Sequence, residues 1–161
     1  PIFWEDCSAE VYPTAITEPD MAAILFTSGS TGPAKGAVYT HGMFQEQVRL
    51  MREVFGIEPG EVDLCTFPLF ALFAPALGMT SIVPDMDPTR PAKADPKKII
   101  KAIFDYKVTN LFGSPALIDV LSRYGEKHDI KLPSLRRVIS AGAPVSAAVI
   151  ERMTKMLNPG V

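Results

Sequence analysis

The sequence has little of what marks several common protein classes. Cysteine occurs twice in 161 residues, as Cys7 and Cys65, and neither residue lies in a CxxC motif or near a histidine pair. This pattern is typical of reduced thiols and disfavours a metal site or a disulfide. Positive charge is not in excess, since the sequence has 16 lysines and arginines against 18 aspartates and glutamates, for a net charge of −2. We therefore expect no nucleic-acid partner.

Signals for export and for membrane insertion are scarce as well. No charged-then-apolar leader precedes the globular pattern, which together with the cysteine usage predicts a cytoplasmic protein. Between Asp63 and Asp85 lie 21 uncharged residues, about the length that a bilayer requires. Pro68, Pro75 and Pro84 interrupt this run, and proline breaks the interior of a helix. We predict a buried strand, a turn, a short helix and a second strand, and no transmembrane span.

The remaining sequence alternates between strand-like and helix-like segments in a globular composition, with 47% hydrophobic and 21% charged residues. Strands are predicted at 22–27, 36–40, 62–67, 80–84, 109–113 and 135–142, the first of them buried. Helices are predicted at 43–55, from 96 onward, at 115–127 and at 145–157. Such alternation predicts an α/β fold, with a mostly parallel sheet covered by helices on both faces.

Two helix starts carry a specific signature. Asp95 precedes Pro96 and Ser114 precedes Pro115, which places a capping side chain before the one residue that lacks a backbone N–H. The first of these helices has a predicted inner face of Ile99, Ile100, Ile103 and Phe104. The sequence closes on a turn-like NPGV, so we expect a lead-in over residues 1–19 and a partial domain over 20–161.

The segment FTSGSTGPAKGAVYTHG, residues 26–42, is the most unusual part of the chain. Gly29 and Gly32 allow backbone angles at which successive N–H groups converge on one point. The surrounding side chains add hydroxyl groups and one positive charge; they are Thr27, Ser28, Ser30, Thr31 and Lys35. Such a collection of donors predicts a binding loop for an anion, most simply a polyphosphate.

This loop does not match the Walker pattern GxxxxGK[ST]. Ala34 stands where that motif has its second glycine, and Gly36 stands where it has a hydroxyl. A strand-like AVYT follows, so we predict that the loop joins two strands and that a helix dipole contributes little. The alternative is a glycine- and serine-rich loop without a ligand.

The decapeptide TSGSTGPAKG resembles the phosphate-binding signature of the adenylate-forming (AMP-binding) superfamily, which includes acyl-CoA synthetases, luciferases and peptide-synthetase adenylation domains. Pro33-Ala34 departs from the usual order of that signature. Three later segments, YTHGMF, FPLFALF and SAGAPVS, are similar to further family motifs and occur in the family's order. The resemblance implies a segment of the family's large N-terminal domain, extending from about residue 20 to the end.

The resemblance also implies a set of site residues. ATP phosphates would be held by the loop residues Thr27, Ser28, Gly29, Ser30, Thr31, Gly32, Lys35 and Gly36, with Lys35 and Thr31 acting in catalysis. Adenine would lie along Gly142, Ala143 and Pro144. The carboxylate substrate would lie near Phe70, Ala71, Gly113 and Ser114. Apolar walls for its chain would come from Phe70, Leu72, Phe73 and Leu77, for which ordinary core packing is an equal alternative. Mg²⁺ is implied as well, with its ligands outside this segment.

Ala71 stands where many acyl-CoA ligases have a histidine. Together with the flanking residues it resembles the β-lactone synthetases of the bacterial olefin pathway, which adenylate a 3-hydroxy fatty acid whose own hydroxyl then closes the ring. The alternatives are a long-chain acyl-CoA ligase, a nucleotide-binding module without chemistry, and an interaction domain that pairs through exposed strand edges. Because the family's later motifs are absent, we expect the chain by itself to be inactive.

Overall fold

The computed structural model describes residues 15–26, 35–67, 71 and 73–161. The chain divides into two compact units, residues 1–50 and 51–161. The predicted lead-in over residues 1–19 stays a prediction, because residues 1–14 lie outside the described part.

The first unit is built on an antiparallel strand pair. Strand β1, Met21–Phe26, pairs with β2, Gly36–Thr40, so that Phe26 lies opposite Gly36. This agrees with the prediction that the glycine-rich segment joins two strands. Helix α1, His41–Phe55, follows at once. The Thr40 hydroxyl accepts a hydrogen bond from the Met43 N–H at 3.3 Å and caps this helix.

The prediction that the first strand is buried is wrong. In β1 the side chain of Phe26 is 71% exposed, and Ile24 and Leu25 are also exposed. An apolar run indicates that a strand is suited to burial, but it does not specify what covers the strand. Within residues 15–26 and 35–50, a two-stranded ribbon has too few layers to bury both of its faces.

The second unit contains a four-stranded parallel sheet in the order β4-β3-β5-β6. Its strands are β3, Val62–Cys65; β4, Thr80–Ile82; β5, Asn110–Phe112; and β6, Arg137–Ile139. The helices are α2, Phe73–Ala76; α3, Pro96–Asp105; α4, Pro115–Lys127; and α5, Ala147–Met156. A 3₁₀ turn at Pro91–Lys93 precedes α3. The predicted α/β fold with a mostly parallel sheet is confirmed.

Both predicted helix starts are confirmed. The Asp95 carboxylate accepts the Lys97 N–H at 2.9 Å, and the Ser114 hydroxyl accepts the Leu117 N–H at 3.4 Å. In each case proline is the first helical residue, where no backbone donor is required. The cap at Ser114 fixes the chain direction immediately after β5.

Successive side chains along each strand point to opposite faces of the sheet. The two faces are covered by different helices. Leu64 and Leu111 point into the main core with α3, α4 and α5, and both are fully buried. The helical part of this core is formed by Ile99, Ile100, Ile103, Leu117, Ile118, Leu121, Val149, Met153 and Met156. The opposite face carries Asp63 and Asn110 and meets α2 and the end of α1.

Phe104 corrects the predicted inner face of α3. Ile99, Ile100 and Ile103 are buried, whereas Phe104 is 50% exposed. A step of one residue from Ile103 rotates the side chain by about 100° around the helix, which takes Phe104 off the buried stripe.

In the described part of the chain, no helix has both the length and the apolar character that crossing a membrane requires.

A close approach of α4 and α5 depends on Gly125. A Cβ added at Gly125 would overlap the end of the Met156 side chain, and Met156 is 2% exposed. We expect Gly125→Ala to lower the free energy of unfolding by about 1–3 kcal/mol, because overpacking outweighs the gain in helix propensity. Urea unfolding would measure this change, with Lys127→Ala on the exposed surface of the same helix as control. An unchanged or raised stability of Gly125→Ala would contradict the close packing.

Candidate active site

The carboxyl ends of β3, β5 and β6 border a cavity of about 310 Å³, here named the upper cavity. It is lined by Thr66, Phe67, Pro88, Pro91, Phe112, Ser114, Ala141 and Gly142. In open α/β sheets, ligands bind outside the carboxyl ends of the strands. The upper cavity therefore has the position expected of a ligand site.

Hydrogen bonds between the strand ends hold the walls of this cavity. The Thr66 hydroxyl donates to the Phe112 carbonyl at 2.6 Å, which ties the end of β3 to β5. The Gly113 N–H donates to the Ile139 carbonyl at 3.0 Å, which ties β5 to β6. These hydrogen bonds fix the three strand ends relative to one another.

Ser114 and Gly142 were predicted as substrate and adenine residues, and the structure brings them to the same cavity. Gly142 has φ of +96°, a conformation that favours glycine, and a Cβ there would meet no atom within 4 Å. Its surroundings therefore leave its backbone open to a ligand. Ala143 and Pro144 are exposed and do not line the cavity.

Gly113, the other predicted substrate residue at this edge, is buried. A Cβ there would lie 2.9 Å from Ile118 Cδ1. The packing of α4 against the end of β5 thus accounts for a glycine at this position, and the role of Gly113 in substrate binding stays a prediction.

Most of the predicted phosphate-binding residues lie outside the described part of the chain: Thr27, Ser28, Gly29, Ser30, Thr31 and Gly32. Lys35 is exposed and comes directly before β2, and Gly36 is the first residue of that strand. A Cβ at Gly36 would lie 2.7 Å from Ile24 Cγ2, so strand pairing alone explains this glycine. Of the segment around the predicted acyl site, Ala71 is half-buried, whereas Phe70 and Leu72 are outside the described residues.

A second cavity, of about 230 Å³ and here named the inner cavity, lies on the face of the sheet opposite the main core. Its lining consists of Met51, Phe55, Ile57, Asp63, Phe73, Ala74, Leu77, Met79, Asn110, Phe112, Ile139 and Ala141. Phe73 and Leu77, two of the predicted chain-binding residues, are among them. Phe112 and Ala141 line both cavities, so the inner cavity adjoins the upper one.

Asp63 and Asn110 form a buried polar pair in the inner cavity that sequence reasoning missed. They lie opposite each other on β3 and β5, and the Asn110 amide donates to the Asp63 carboxylate. Both residues are 4% exposed. Burial raises the pKa of the Asp63 carboxyl, and the hydrogen bond from Asn110 only partly opposes this. The available signal was a charged residue inside an otherwise apolar strand, VDLC.

The raised pKa of Asp63 predicts a pH-dependent effect of Asp63→Asn. Because the pKa is higher in the folded than in the unfolded chain, folding favours the protonated acid. The free-energy cost of burying the ionised Asp63 carboxylate is absent below the pKa of the unfolded chain. It grows as the pH rises through the pKa of the folded chain. We therefore expect the stability of Asp63→Asn, relative to the unchanged chain, to increase from acidic to neutral pH in urea unfolding. A pH-independent difference would contradict this, and Asp129→Asn on an exposed turn is the matched control.

The described residues include no cluster of three or more histidine, cysteine, aspartate or glutamate side chains that could hold a metal ion. They therefore do not fit a magnesium site, and no role given to these residues involves a bound metal ion. The expectation that metal ligands lie elsewhere stays a prediction.

Comparisons with known proteins agree with this architecture. The chain is 56% identical over 138 residues to an olefin β-lactone synthetase of Xanthomonas campestris pv. campestris, covering 86% of the chain and 24% of that protein. It is 31% identical over 161 residues to the acyl-CoA ligase sidI of Aspergillus fumigatus, covering 96% of the chain and 26% of that protein. The chain thus spans about a quarter of the length of these curated relatives.

The fold is also found among solved structures. The inhibitor-bound N-terminal domain of FACL13 from Mycobacterium tuberculosis matches with a TM-score of 0.74 at 24% identity. The match covers 95% of this chain and 39% of the other. A family model described as AMP-binding enzyme matches residues 3–160. Sequence motifs, fold and relatives agree, and the chain belongs to the AMP-binding enzyme family.

Proposed function

We propose that the natural protein carrying this chain is an ATP-dependent ligase that activates a fatty-type carboxylic acid. A carboxylate oxygen attacks the α-phosphorus of ATP, the bond between the α- and β-phosphates breaks, and pyrophosphate leaves with an acyl adenylate as the other product. Thr27, Ser28, Ser30, Thr31 and Lys35 hold the β- and γ-phosphates. Lys35 and Thr31 stabilise the charge that develops on the leaving pyrophosphate.

The observation that carries this proposal is the meeting of Ser114 and Gly142 at the upper cavity. One residue was assigned to the carboxylate and the other to adenine, and they are 28 positions apart in the sequence. An acyl adenylate joins these two groups in one molecule, so its binding requires both residues at one site. Family membership supports the same reaction.

For the second step we propose closure of a β-lactone. The hydroxyl oxygen of a 3-hydroxy acid attacks the acyl carbon of the adenylate, the carbon–oxygen bond to the phosphate breaks, and AMP leaves. The hydroxyl proton passes to solvent, and coenzyme A is not consumed. The 56% identity to an olefin β-lactone synthetase supports this step, as does Ala71 in place of a histidine.

The second candidate is a long-chain acyl-CoA ligase, in which the thiol of coenzyme A takes the place of the substrate hydroxyl. The 31% identity to an acyl-CoA ligase, over nearly the whole chain, favours it over a nucleotide-binding module without chemistry. The adenylation step is the same in both ligases.

Incubation of the natural protein with ATP and a 2-alkyl-3-hydroxy acid tests the proposal. We expect pyrophosphate release and a β-lactone, detected by mass spectrometry, without added coenzyme A. Product formation that strictly requires coenzyme A would establish the acyl-CoA ligase instead. Binding of ATP without pyrophosphate release in the presence of any acid would leave only the nucleotide-binding module.

The proposal also includes the location of the protein in the cell. We place the protein in the cytoplasm, where reduced thiols are normal, and the buried free thiol of Cys65 supports this. Pairing with a second copy through exposed strand edges stays a prediction, which sedimentation of the natural protein would test.

A further inference from the structure

Part of the upper cavity is lined by a segment that lies outside the sheet. Six of the eight described lining residues lie at or just after the carboxyl ends of β3, β5 and β6. The other two, Pro88 and Pro91, belong to residues 84–94, which connect β4 to α3 and are here named the strap. The strap contains three prolines and no glycine, and proline fixes the backbone angle φ. Its backbone therefore has few alternative conformations.

The first part of the strap is held by side chains at every second position. Pro84 is buried, Met86 packs against the main core, and Pro88 reaches the upper cavity. The exposed Asp85 carboxylate pairs with Lys98 on α3 at 2.5 Å. Because surface ion pairs contribute little, the inward side chains are the main anchor of this part.

Asp87 organises the turn between the two prolines of the cavity. Its Oδ1 accepts hydrogen bonds from the Thr89 hydroxyl at 2.7 Å and from the Thr89 N–H at 2.9 Å. These two bonds lower the pKa of the Asp87 carboxyl, which favours its ionised, accepting form. The Arg90 N–H donates to the Asp87 carbonyl at 3.1 Å. The resulting Asx turn brings Pro91 back to the cavity that Pro88 also lines.

The lining that the strap contributes has little capacity to hold water. The rings of Pro88 and Pro91 are apolar, and neither residue has a backbone N–H. Phe67 and Phe112 add two aromatic rings to the same cavity. Such a lining matters for an acyl adenylate, which water can destroy. The water oxygen attacks the acyl carbon, the carbon–oxygen bond to the phosphate breaks, AMP and the free acid leave, and a proton passes to solvent.

We propose that the strap excludes water from the acyl adenylate and that Asp87 is the positioning residue that holds Pro88 and Pro91 at the cavity. This inference rests on the proposed function. Hydrolysis requires the strap to move away, so its rate follows the fraction of molecules in which the turn is open. The hydrogen bonds to Asp87 keep this fraction small, and they have no part in the adenylation step.

The test measures the AMP that the natural protein releases in excess of its product, since hydrolysis of the adenylate yields AMP but no lactone or thioester. We expect Asp87→Ala to raise this excess about 3- to 10-fold, as for the loss of one hydrogen bond, with ATP–pyrophosphate exchange unchanged. Asp87→Asn keeps an oxygen acceptor for the Thr89 N–H and should restore the original ratio. Glu151→Ala, which removes an exposed carboxylate on α5 that pairs with Lys155 at 3.2 Å, is the matched control.

Amide hydrogen exchange in the unsubstituted natural protein covers the case in which Asp87→Ala does not fold. We expect the amides of Thr89 and Arg90 to be protected, because both donate to Asp87. Unprotected amides, an unchanged excess of AMP in folded Asp87→Ala, or an equally raised excess in Asp87→Asn would overturn the inference. Absence of pyrophosphate release with every acid tested would instead overturn the proposed function, and with it the role of the strap, even where both amides are protected.

Discussion

Lys35→Ala in the natural protein is expected to lower the rate of acyl-adenylate formation by about 10²- to 10³-fold. The physical reason is the negative charge that, in the proposed reaction, builds up on the leaving pyrophosphate. A positioned ammonium group stabilises this charge more in the transition state than in bound ATP, so its removal acts mainly on kcat. ATP–pyrophosphate exchange at saturating acid and ATP measures the effect directly.

Lys101→Ala is the matched control for this experiment. Lys101 is an exposed lysine on α3, and its ammonium group pairs with Asp105. Its removal deletes the same charge from the chain without touching the predicted phosphate loop, and we expect less than a twofold change in rate. If Lys35→Ala retained wild-type kcat, or if only its KM for ATP rose, Lys35 would have no special role in the transition state.

The order of the elements could be predicted from the sequence because each element carries a local signal. The caps at Asp95 and Ser114 and the apolar runs of the strands depend on neighbouring residues alone. Four of the six strands were predicted too long, by two to five residues, with the largest excess in 135–142 against Arg137–Ile139. Apolar residues continue past the last ladder pair, and periodicity does not record where pairing stops.

The upper cavity could be predicted in part. Once 109–113 and 135–142 are taken as parallel strands, their carboxyl ends must meet at one edge, which brings Ser114 and Gly142 together. Thr66 also lies at this edge, but its role follows from a hydrogen bond to the Phe112 carbonyl, a contact between residues 46 positions apart. Local sequence patterns contain no signal for such a pairing.

The inner cavity could not have been predicted either, and the reason is again a contact between distant parts of the sequence. Asp63 and Asn110 face each other only because β3 and β5 are neighbours in register, although β4 lies between them in the sequence. Strand order is a property of the tertiary fold. The exposure of β1 has a similar origin, since its apolar residues indicate a preference for burial and the fold decides whether a covering layer exists.

A second polar network lies at the opposite end of the same strands and has a structural role. The Glu61 carboxylate accepts hydrogen bonds from the Arg137 guanidinium, from the Thr109 hydroxyl at 3.1 Å and from the Glu58 N–H at 3.0 Å. Arg137 also donates to the Gly56 carbonyl at 2.8 Å. The residues at the starts of β3, β5 and β6 are therefore tied together, so this network holds the strand starts as Thr66 and Gly113 hold the strand ends.

The charge state of Glu61 follows from two opposed effects. Burial by itself raises the pKa of this carboxyl, but the hydrogen bonds from Arg137, Glu58 and Thr109 and the charge of Arg137 outweigh burial and lower the pKa overall. Since the folded pKa lies below the unfolded one, the stabilisation is present at neutral pH. It is lost as the pH falls through the folded pKa.

Arg137→Met is accordingly expected to lower the free energy of unfolding by about 3–5 kcal/mol at neutral pH, because Glu61, which is 4% exposed, is left as an unpaired buried charge. Adding Glu61→Gln to this variant removes the unpaired charge and should restore a large part of the loss. The deficit of Arg137→Met should also shrink in acid, where Glu61 is protonated and needs no counter-ion. Urea unfolding at neutral and acidic pH measures all three effects.

Arg123→Met provides the contrast that makes this prediction specific. Arg123 pairs with Asp119 at 2.9 Å, but its side chain is 71% exposed, and such surface pairs contribute only about 0–1 kcal/mol. The same substitution thus removes one arginine from an ion pair in both variants, but Asp119 keeps Arg152 as a partner at 2.5 Å, so no buried carboxylate is left unpaired in Arg123→Met. Equal deficits for the two variants would mean that water reaches Glu61 once Arg137 is gone. The buried ion pair would then contribute no more to holding the strand starts than a surface pair does.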